Sequence, residues 1–159
     1  MRYPFDEFTN VIWVPGANGI GDISAPTVAE IGAGTDLTCF LTKDGLNPGG
    51  STNKVDDGAL CNRLDGQVVG SVMFDYTLTL KRDNADDAAW TLAVWGSEGF
   101  LVVRRGFLYA TAFAAGQPVE DFHCTMGEPI MVTSAANTEQ KFTLNLPVSA
   151  AEQKAVVAA

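Results

Sequence analysis

The chain has 159 residues, of which 47% are hydrophobic and 18% are charged. This composition predicts one ordered domain whose core needs neither a metal ion nor a disulfide, and it excludes a disordered chain. The 10 basic and 19 acidic residues give a net charge of −9, which disfavours binding to nucleic-acid phosphates.

The N-terminal segment, residues 1–22, is predicted to be an arm with one brief strand. Its start, MRYPFDEF, has acidic residues and proline where a signal peptide needs an apolar core, so we expect no export by this route. Residues 11–14 predict an apolar strand. The glycine-rich stretch 16–21 reads G-x-x-G-x-G rather than G-x-G-x-x-G, so it indicates a flexible connection and not a dinucleotide site.

The next elements are a short helix, a strand and a long polar segment. Residues 24–31 predict a helix with Ser24 as its N-cap and Pro26 in its first turn. Residues 37–42 alternate apolar and mixed positions, which predicts a strand. Residues 44–65 contain NPGGSTNK and VDDGALCNRLDG and predict a long loop. A loop of that length in a compact domain usually carries function or reaches a neighbour.

The second half of the chain shows the clearest periodicity. Residues 72–81 alternate apolar and polar positions, as in a strand with one wet face. Residues 84–96 predict the one long helix, with Asn84 as its N-cap and alanines, Leu92 and Trp95 on its packed face. Further strands are predicted at 99–105 and 140–146, and residues 119–126 and 129–133 predict one strand broken at Gly127 by a bulge. The Ala-rich tail, residues 149–159, is predicted to be weakly helical or frayed.

Six or seven strands and one helix predict a mainly β single domain over residues 1–159. The two architectures that fit are an antiparallel β-sandwich and a partly open barrel, each with one packed α-helix. No uncharged apolar run approaches the ~20 residues of a membrane span, so we expect no membrane partner. The three cysteines, Cys39, Cys61 and Cys124, lack C-x-x-C spacing, which predicts reduced, mostly buried thiols of a protein folded in a cytoplasm.

The sequence offers no pattern typical of catalysis or metal binding. His123 is the only histidine, and on a strand its neighbour Cys124 points to the opposite face, so the two cannot form a nucleophile–base pair. The acidic stretches at 56–58 and 83–87 lack the spacing of a calcium loop. Arg104 and Arg105 end an apolar strand. We expect them to pair with carboxylates within the subunit or between subunits, with binding of an anionic ligand as the alternative. We therefore predict neither an enzyme nor a cofactor.

Two segments resemble a known family. Residues 22–45, DISAPTVAEIGAGTDLTCFLTKDG, and residues 90–106, WTLAVWGSEGFLVVRRG, are similar to the major tail (tail tube) proteins of long-tailed bacteriophages that infect actinobacteria. The resemblance runs from about residue 10 to the Ala-rich end. It implies a virion structural protein that forms stacked six-fold rings, assembled in the host cytoplasm, whose inner strands join into one barrel around the passing genome.

The resemblance also implies partners, which are other copies of the chain and the tail terminator, tape measure and distal tail proteins. Polar faces of two predicted strands are candidates for lining the lumen, with contact to outside solvent as the alternative: Asp75, Thr77, Thr79, Lys141, Thr143 and Asn145. The N-terminal arm before Trp13, loop 44–65 and tail 149–159 are candidates for ring-to-ring contacts, since each is poorly able to bury itself in its own domain. Within the loop the candidates are Asn47, Lys54, Asp56, Asp57 and Arg63.

Other classes of protein remain as alternatives. A head–tail completion or capsid decoration protein of the same virion could share the fold but would form a single ring or trimers. A carbohydrate-binding module would need a row of exposed aromatic rings, whereas Trp13, Trp90 and Trp95 lie on predicted packed elements. A small hydrolase would need a base and a nucleophile that the chain lacks.

Overall fold

The computed structural model describes residues 2, 4 and 6–159 of the chain. These residues form eight strands and two short helices. In chain order the elements are β1 (Thr9–Pro15), α1 (Val28–Gly32), β2 (Thr35–Asp36), β3 (Leu41–Asp57), β4 (Gly66–Lys81), α2 (Ala88–Leu92), β5 (Glu98–Arg105), β6 (Pro118–Thr125), β7 (Ile130–Met131) and β8 (Lys141–Val156). The prediction of a mainly antiparallel β protein is confirmed.

The strands join into one open sheet in the order β2-β1-β5-β6-β8-β4-β3, with β7 also paired to β8. β8 is long enough to belong to both parts of this sheet. Residues 141–147 pair with β4, and residues 148–156 pair with β6. We call β3, β4, β7 and the first part of β8 the hairpin half. We call β1, β2, β5, β6 and the rest of β8 the core half.

The two halves face each other across the main hydrophobic core. Trp13 from the core half and Leu78 and Phe142 from the hairpin half are at most 1% exposed and belong to one cluster. Tyr76 of β4 and Phe122 of β6 meet edge-on, with ring centroids 4.8 Å apart. The single sheet therefore folds over on itself, so that a sandwich-like core forms between its two halves.

Residues 16–34, which we call the cover segment, pack on the outer face of the core half. Ile31 from this segment and Val102 of β5 are buried in a second cluster. α1 begins at a capping box: the Thr27 hydroxyl accepts from the Glu30 amide at 3.2 Å, and the Glu30 carboxylate accepts from the Thr27 amide at 2.9 Å. Strands β1 and β5 at the centre of the core half are thus buried on both faces.

The helix predicted at residues 24–31 is shorter than expected. It begins after Thr27, because Thr27 supplies the hydroxyl that caps the Glu30 amide. Ser24, the predicted N-cap, donates its hydroxyl to the Asp22 carboxylate at 2.7 Å. This local turn competes with helical hydrogen bonding, so the helix cannot start there.

The strand predicted at residues 37–42 is mostly a turn. Leu37 is 1% exposed, and its carbonyl accepts from the amides of Phe40 and Leu41 at 3.1 and 3.2 Å. The turn carries the chain from β2 to β3 and so connects the two ends of the open sheet. The apolar residues of this stretch anchor a turn to the core, which the alternation alone could not distinguish from a strand.

The long helix predicted at residues 84–96 is reduced to α2. The carboxylates of Asp83 and Asp86 accept from the amides two residues further on, at 2.8 and 3.3 Å. Such turns replace the first helical turns, so the helix starts at Ala88 and Asn84 is not its cap.

α2 nevertheless packs on the main core. Ala89 is 2% exposed, and Trp90 meets Phe142 edge-on with ring centroids 5.0 Å apart. The chain turns at Gly96, where φ is 81°, and Trp95 beside it is 72% exposed. The prediction that Trp95 packs is wrong, because the helix ends before reaching it.

Residues 44–65 are mostly strand rather than loop. β3 pairs with β4 along its 17 residues, with register shifts between Leu41 and Leu46 and between Thr52 and Lys54. Only residues 58–65 connect the two strands without regular structure. The polar and glycine-rich composition that suggested a loop belongs to a strand that is exposed over most of its length.

The N-terminal segment, residues 1–22, is not an arm where the structure describes it. Thr9–Pro15 is β1, which pairs with both β2 and β5 and is largely buried. Met1, Tyr3 and Phe5 lie outside the described residues. The prediction that this segment is poorly able to bury itself is wrong for β1.

The Ala-rich tail, residues 149–159, is neither helical nor frayed. It continues β8 to Val156 and pairs with β6, and Ala155 and Val157 are 0% and 2% exposed. The amide of Ala158 also donates to the Pro26 carbonyl in the cover segment at 2.8 Å. Sheet pairing here overrides the helix propensity of alanine, which is a weak local preference.

The three cysteines are free thiols. Cys124 is buried, and burial raises the pKa of its thiol to about 12. Cys39 and Cys61 are exposed, so the prediction of mostly buried thiols is wrong for these two. They lie on turns, in the connection between β2 and β3 and in the hairpin tip.

Candidate assembly surface

The structure brings the two predicted lumen-lining sets together on one surface. β4 and β8 are neighbours, with Thr77 opposite Asn145 and Thr79 opposite Thr143. Directly opposed residues of an antiparallel pair project to the same face. The six residues therefore form one patch, which we call the polar face: Asp75, Thr77, Thr79, Lys141, Thr143 and Asn145.

The polar face is the outer side of the hairpin half. The Thr77 hydroxyl donates to Asn145 Oδ1 across the strands at 3.2 Å. Asp75 and Lys141 are its charged members, one of each sign. Alternate residues of the same strands lie in the main core, and this burial fixes which face is outside.

Beyond the polar face, the hairpin of β3 and β4 extends past the rest of the sheet. We call residues 50–73 the distal hairpin; all of them are exposed except the half-buried Gly70. Leu60 and Leu64 near the tip are 108% and 82% exposed. Its large exposed apolar side chains are Val55, Leu60, Leu64, Val68, Val69, Val72 and Met73. So many exposed apolar side chains on one extension make it a candidate interaction site.

The predicted ring-to-ring residues fall into two groups. Lys54, Asp56 and Asp57 lie on β3 in the distal hairpin, and Arg63 lies in the tip between the strands. Asn47 is nearer the base, where it pairs with β4 beside the polar face. The structure therefore brings four of the five to one extension of the subunit.

Sequence reasoning missed the apolar members of this extension. It selected the charged residues of a supposed loop, although Leu60 and Leu64 were already visible in the run ALCNRL. Two leucines among glycine and aspartate residues in a polar stretch were the available signal. Leucines in such a stretch have no neighbours with which to form a core of their own.

The hairpin half has an unpaired strand edge on each side among the described residues. β3 pairs with β4 alone over its 17 residues. On the other side β7 covers only a short part of β8, and its Ile130 and Met131 are 59% and 41% exposed. Unpaired edges are templates for pairing with another chain.

A groove of about 610 Å³ lies where the distal hairpin leaves the body. Phe74 and Phe122 line it together with Arg105 and Glu120, whose Nε and Oε2 atoms are 3.0 Å apart. Burial raises the pKa of the neighbouring Tyr76 to about 12, and the charge of Glu120 adds to this effect. The two opposite charges in the groove are therefore engaged with each other, and the Tyr76 hydroxyl stays protonated at neutral pH.

The adjacent arginines at the end of β5 differ in role. Arg105 pairs with Glu120, as expected. Arg104 is 0% exposed and lies 4.2 Å from the ring centroid of Phe113. Its guanidinium donates to the carbonyls of Leu108, Thr111 and Ala112 and to the side chains of Asn10 and Gln117. The expected carboxylate partner is wrong for Arg104, which instead holds the loop between β5 and β6.

The single histidine has a packing role. His123 stacks on Phe100 with ring centroids 4.7 Å apart, and its Nδ1 lies 3.0 Å from the Ser149 hydroxyl. Cys124 belongs to the main core on the opposite face of β6. The structure thus separates the two side chains, as the strand geometry predicted.

The glycine-rich stretch and the acidic stretches singled out in the sequence do not form a phosphate or metal site among the described residues. In the stretch 16–21, the Gly19 amide donates to the Gly16 carbonyl at 3.1 Å and Ile20 is 4% exposed, so this turn is anchored in the core. Within the described residues, no three acidic, histidine or cysteine side chains are placed to hold a metal ion. No helix of that part of the chain is long and apolar enough to cross a membrane.

Comparison with known proteins identifies the family. A chain in the "Cryo-EM structure of the anti-feeding prophage (AFP) baseplate, 6-fold symmetrised" is similar with a TM-score of 0.57 and 15% identity, over 96% of this chain and 96% of that chain. At this identity the likeness concerns the fold. The search of curated proteins finds no match. The family model described as phage tail tube protein matches residues 1–159, and the chain therefore belongs to this non-enzymatic family of virion tail structural proteins.

Proposed function

We propose that the chain is the major tail tube subunit of a long-tailed phage of an actinobacterial host, and that it self-assembles into stacked six-fold rings. The rings form the channel for genome delivery and are built in the host cytoplasm. The observation that carries the proposal is the distal hairpin, on which seven large apolar side chains are exposed. Membership of the tail tube family supports this class of assembly.

Within a ring, the free edge of β3 in one copy pairs with the β7 side of the next copy. This pairing removes both open edges, since a closed barrel has none. The hairpin half contributes four strands, so six copies give 4 × 6 = 24 strands around one bore. One face of the hairpin half packs on the main core of its own subunit. The opposite face, which is the polar face, is therefore the one that can line the lumen.

The polar face suits a channel through which DNA slides. Its threonine and asparagine side chains give DNA few fixed cations to bind. A six-fold ring carries 6 × −9 = −54 formal charges, but screening limits their reach to about 8 Å at physiological salt. Only lumen-lining side chains therefore act on the genome.

Between rings, the distal hairpin reaches the neighbouring ring and buries its apolar side chains there. Residues 50–57 alone span about 26 Å at ~3.3 Å per strand residue. At the two tube ends the same surface meets the tail terminator and distal tail proteins, and the tape measure protein lies in the bore.

Electron microscopy of the purified chain at high concentration tests the proposal. The wild type should form long hollow tubes, whereas the variant Leu60→Ser, Leu64→Ser should stay as folded subunits or short rings. The matched control is Val94→Ser, Leu108→Ser, which changes two side chains of 56% and 50% exposure outside the hairpin and should form normal tubes. Normal tubes from the tip variant would contradict the stacking role. Closed single rings from the wild type would favour head–tail completion, and trimers would favour capsid decoration.

Native thiols provide a second test without any substitution. Cys61 in the tip and the exposed Cys39 should both react with a maleimide in the free subunit, and the buried Cys124 should not. In tubes, Cys61 should become protected, because the tip is covered by the next ring. Equal reactivity of Cys61 in subunits and tubes would place the tip outside every contact.

The lumen assignment has its own experiment. Asp75→Lys, Thr77→Lys should leave tubes intact and slow DNA ejection, because the added cations bind phosphates. Ala29→Lys, Glu98→Lys makes the same change of charge at exposed positions of α1 and β5 and should not alter ejection. Unchanged ejection by the first variant in verified tubes would remove the polar face from the bore.

A further inference from the structure

Asp121 is a buried carboxylate for which the described residues supply no side-chain partner. It lies in the middle of β6 between Val102 of β5 and Glu152 of β8, and it is 0% exposed. Among the described residues no side chain bonds to either carboxylate oxygen, and the nearby Phe122 amide, which is not within hydrogen-bonding geometry, lowers the pKa only as the smallest of three influences. Burying an ionised carboxylate in this way is costly, whereas the protonated acid is tolerated far better.

The groups facing Asp121 provide no compensating cation. Glu30 of α1 acts on it from the cover segment, and Glu30 is itself engaged by the amides of Thr27 and Gly21. Glu152 lies directly opposite on β8, and its carboxylate accepts from the Lys154 amide. The two groups that surround Asp121 on neighbouring elements are therefore both acidic.

His123 is the remaining titratable group on this face of β6. It lies two residues from Asp121, stacked on Phe100, and its buried Nε2 has no partner within the part of the chain that the structure describes. The side chain is thus oriented by packing and by Ser149, not by an ion pair with Asp121.

We propose that Asp121 is a proton-operated latch for the cover segment. When Asp121 is protonated, the cover segment closes over the core half. When Asp121 is ionised, the cover segment opens locally, because water must reach the buried charge. Burial, with a smaller contribution from the charge of Glu30, raises the pKa of Asp121 to about 7. This folded pKa is the upper limit of the pH range over which closure is lost.

The cover segment does not open alone, because it is hydrogen-bonded to the end of the chain. The amides of Val156 and Ala158 donate to the carbonyls of Ser24 and Pro26, at 3.1 and 2.8 Å. In return the Val28 amide donates to the Ala158 carbonyl at 3.2 Å. The latch therefore also controls docking of the C-terminal residues after β8.

The way in which closure of the cover segment changes with pH follows from the linkage between proton binding and opening. The folded pKa of Asp121 lies above that of an unfolded aspartate, so the closed state binds the proton more tightly. Closure is strongest below the unfolded pKa of about 3.9 and is lost as the pH rises towards the folded pKa. One proton changes the opening equilibrium by up to about tenfold per pH unit in this window.

Native-state hydrogen exchange of the free subunit, corrected for intrinsic rates, tests the latch. Protection of amides in residues 27–34 and 156–158 should fall up to about tenfold per pH unit between pH 4 and 7 and level off above. Amides of β5 should change much less. In Asp121→Asn the protection should not vary with pH, and infrared spectra should lose one protonated carboxylic acid band.

Control variants separate Asp121 from its neighbours. Histidine also titrates near neutral pH, so His123→Gln, Glu30→Gln and Glu152→Gln should keep the pH dependence; glutamine at position 30 preserves the capping box. Asp121→Leu replaces the carboxyl without adding a polar group and serves if Asp121→Asn folds poorly. A pH dependence that survives in Asp121→Leu, or an equal loss of protection in β5, would overturn the proposal. Neither result depends on tube formation.

Discussion

The core half and the distal hairpin are built from the same antiparallel pairing but differ in what covers them. In β5 of the core half, Leu101, Val102 and Val103 are each 0% exposed, because the main core covers one face and the cover segment the other. In the distal hairpin all residues are exposed except the half-buried Gly70. Strand formation is therefore no measure of burial in this chain.

This difference in burial shows that the core half stabilises the folded subunit, whereas the distal hairpin is available for assembly. Burial of apolar area stabilises the core half by about 25 cal/mol per Å². The distal hairpin gains almost nothing of this kind in the free subunit, so its apolar side chains can gain it only from another chain. A two-stranded hairpin alone is marginally stable in water.

Matched leucine substitutions provide the sharpest test of this comparison and the largest expected effect. Leu101→Ala removes a side chain that is 0% exposed and should lower the free energy of unfolding by about 2–5 kcal/mol. Leu64→Ala removes one that is 82% exposed and should change it by less than about 0.5 kcal/mol. Urea unfolding of the free subunit measures both.

The two leucine variants should rank in the opposite order when tube assembly, rather than subunit stability, is measured. Leu64→Ala is expected to reduce the yield of tubes from fully folded subunits, whereas Leu101→Ala should assemble normally at temperatures where it stays folded. Sedimentation of tubes at equal subunit concentration measures the yield. A large loss of subunit stability in Leu64→Ala would show that the distal hairpin packs on its own chain.

The adjacent arginines Arg104 and Arg105 permit a second comparison, for which we expect an effect of intermediate size on the free energy of unfolding. Arg104→Lys keeps the charge, but an ammonium group has three donors for the five acceptors that Arg104 now serves. We expect a loss of about 2 kcal/mol in unfolding free energy, because buried acceptors lose their partners. Arg105→Lys should cost less than about 1 kcal/mol, since its pair with Glu120 is partly exposed. Equal losses in denaturant unfolding would show that burial of Arg104 has no special role.

The smallest effect is expected at an exposed ion pair that spans the open edge of the sheet. Lys43 Nζ lies 3.1 Å from the Asp6 carboxylate, with side chains 83% and 63% exposed. Asp6→Asn should lower the melting temperature only slightly at low salt and not at all at high salt, because solvent ions screen the pair. A loss that persists at high salt would indicate that this contact closes the sheet.

Much of the strand content could be predicted from residues 11–14, 72–81 and 99–105, where alternation or continuous apolar character reflects burial on one face or both. Segments whose local chemistry competes were mispredicted. The Asx turns at Asp83 and Asp86 shorten a helix that has good propensity, and pairing with β6 makes a strand of the Ala-rich tail. Periodicity contains no information about such competing partners.

For the candidate site, the alternation identified the polar side of each strand but not that the two sides form one surface. That result depends on β4 and β8 being neighbours, although 59 residues of chain separate the end of one from the start of the other. Asp121 could not be found as special from its neighbours in sequence, and the sequence did not distinguish the role of Arg104 from that of Arg105. Their properties come from burial and from the partners that tertiary contacts bring or fail to bring.

The sequence by itself determined the class of the protein: a core-forming, acidic, strand-rich chain without catalytic spacing. This follows because composition and the two-residue period act locally and do not depend on distant contacts. Tertiary structure alone decided that residues 44–65 extend as part of a hairpin and that residues 156–158 are hydrogen-bonded to the cover segment. It also decided that one carboxylate is buried with no side-chain partner among the described residues. These features depend on which surfaces meet, and only the folded sheet brings those surfaces together.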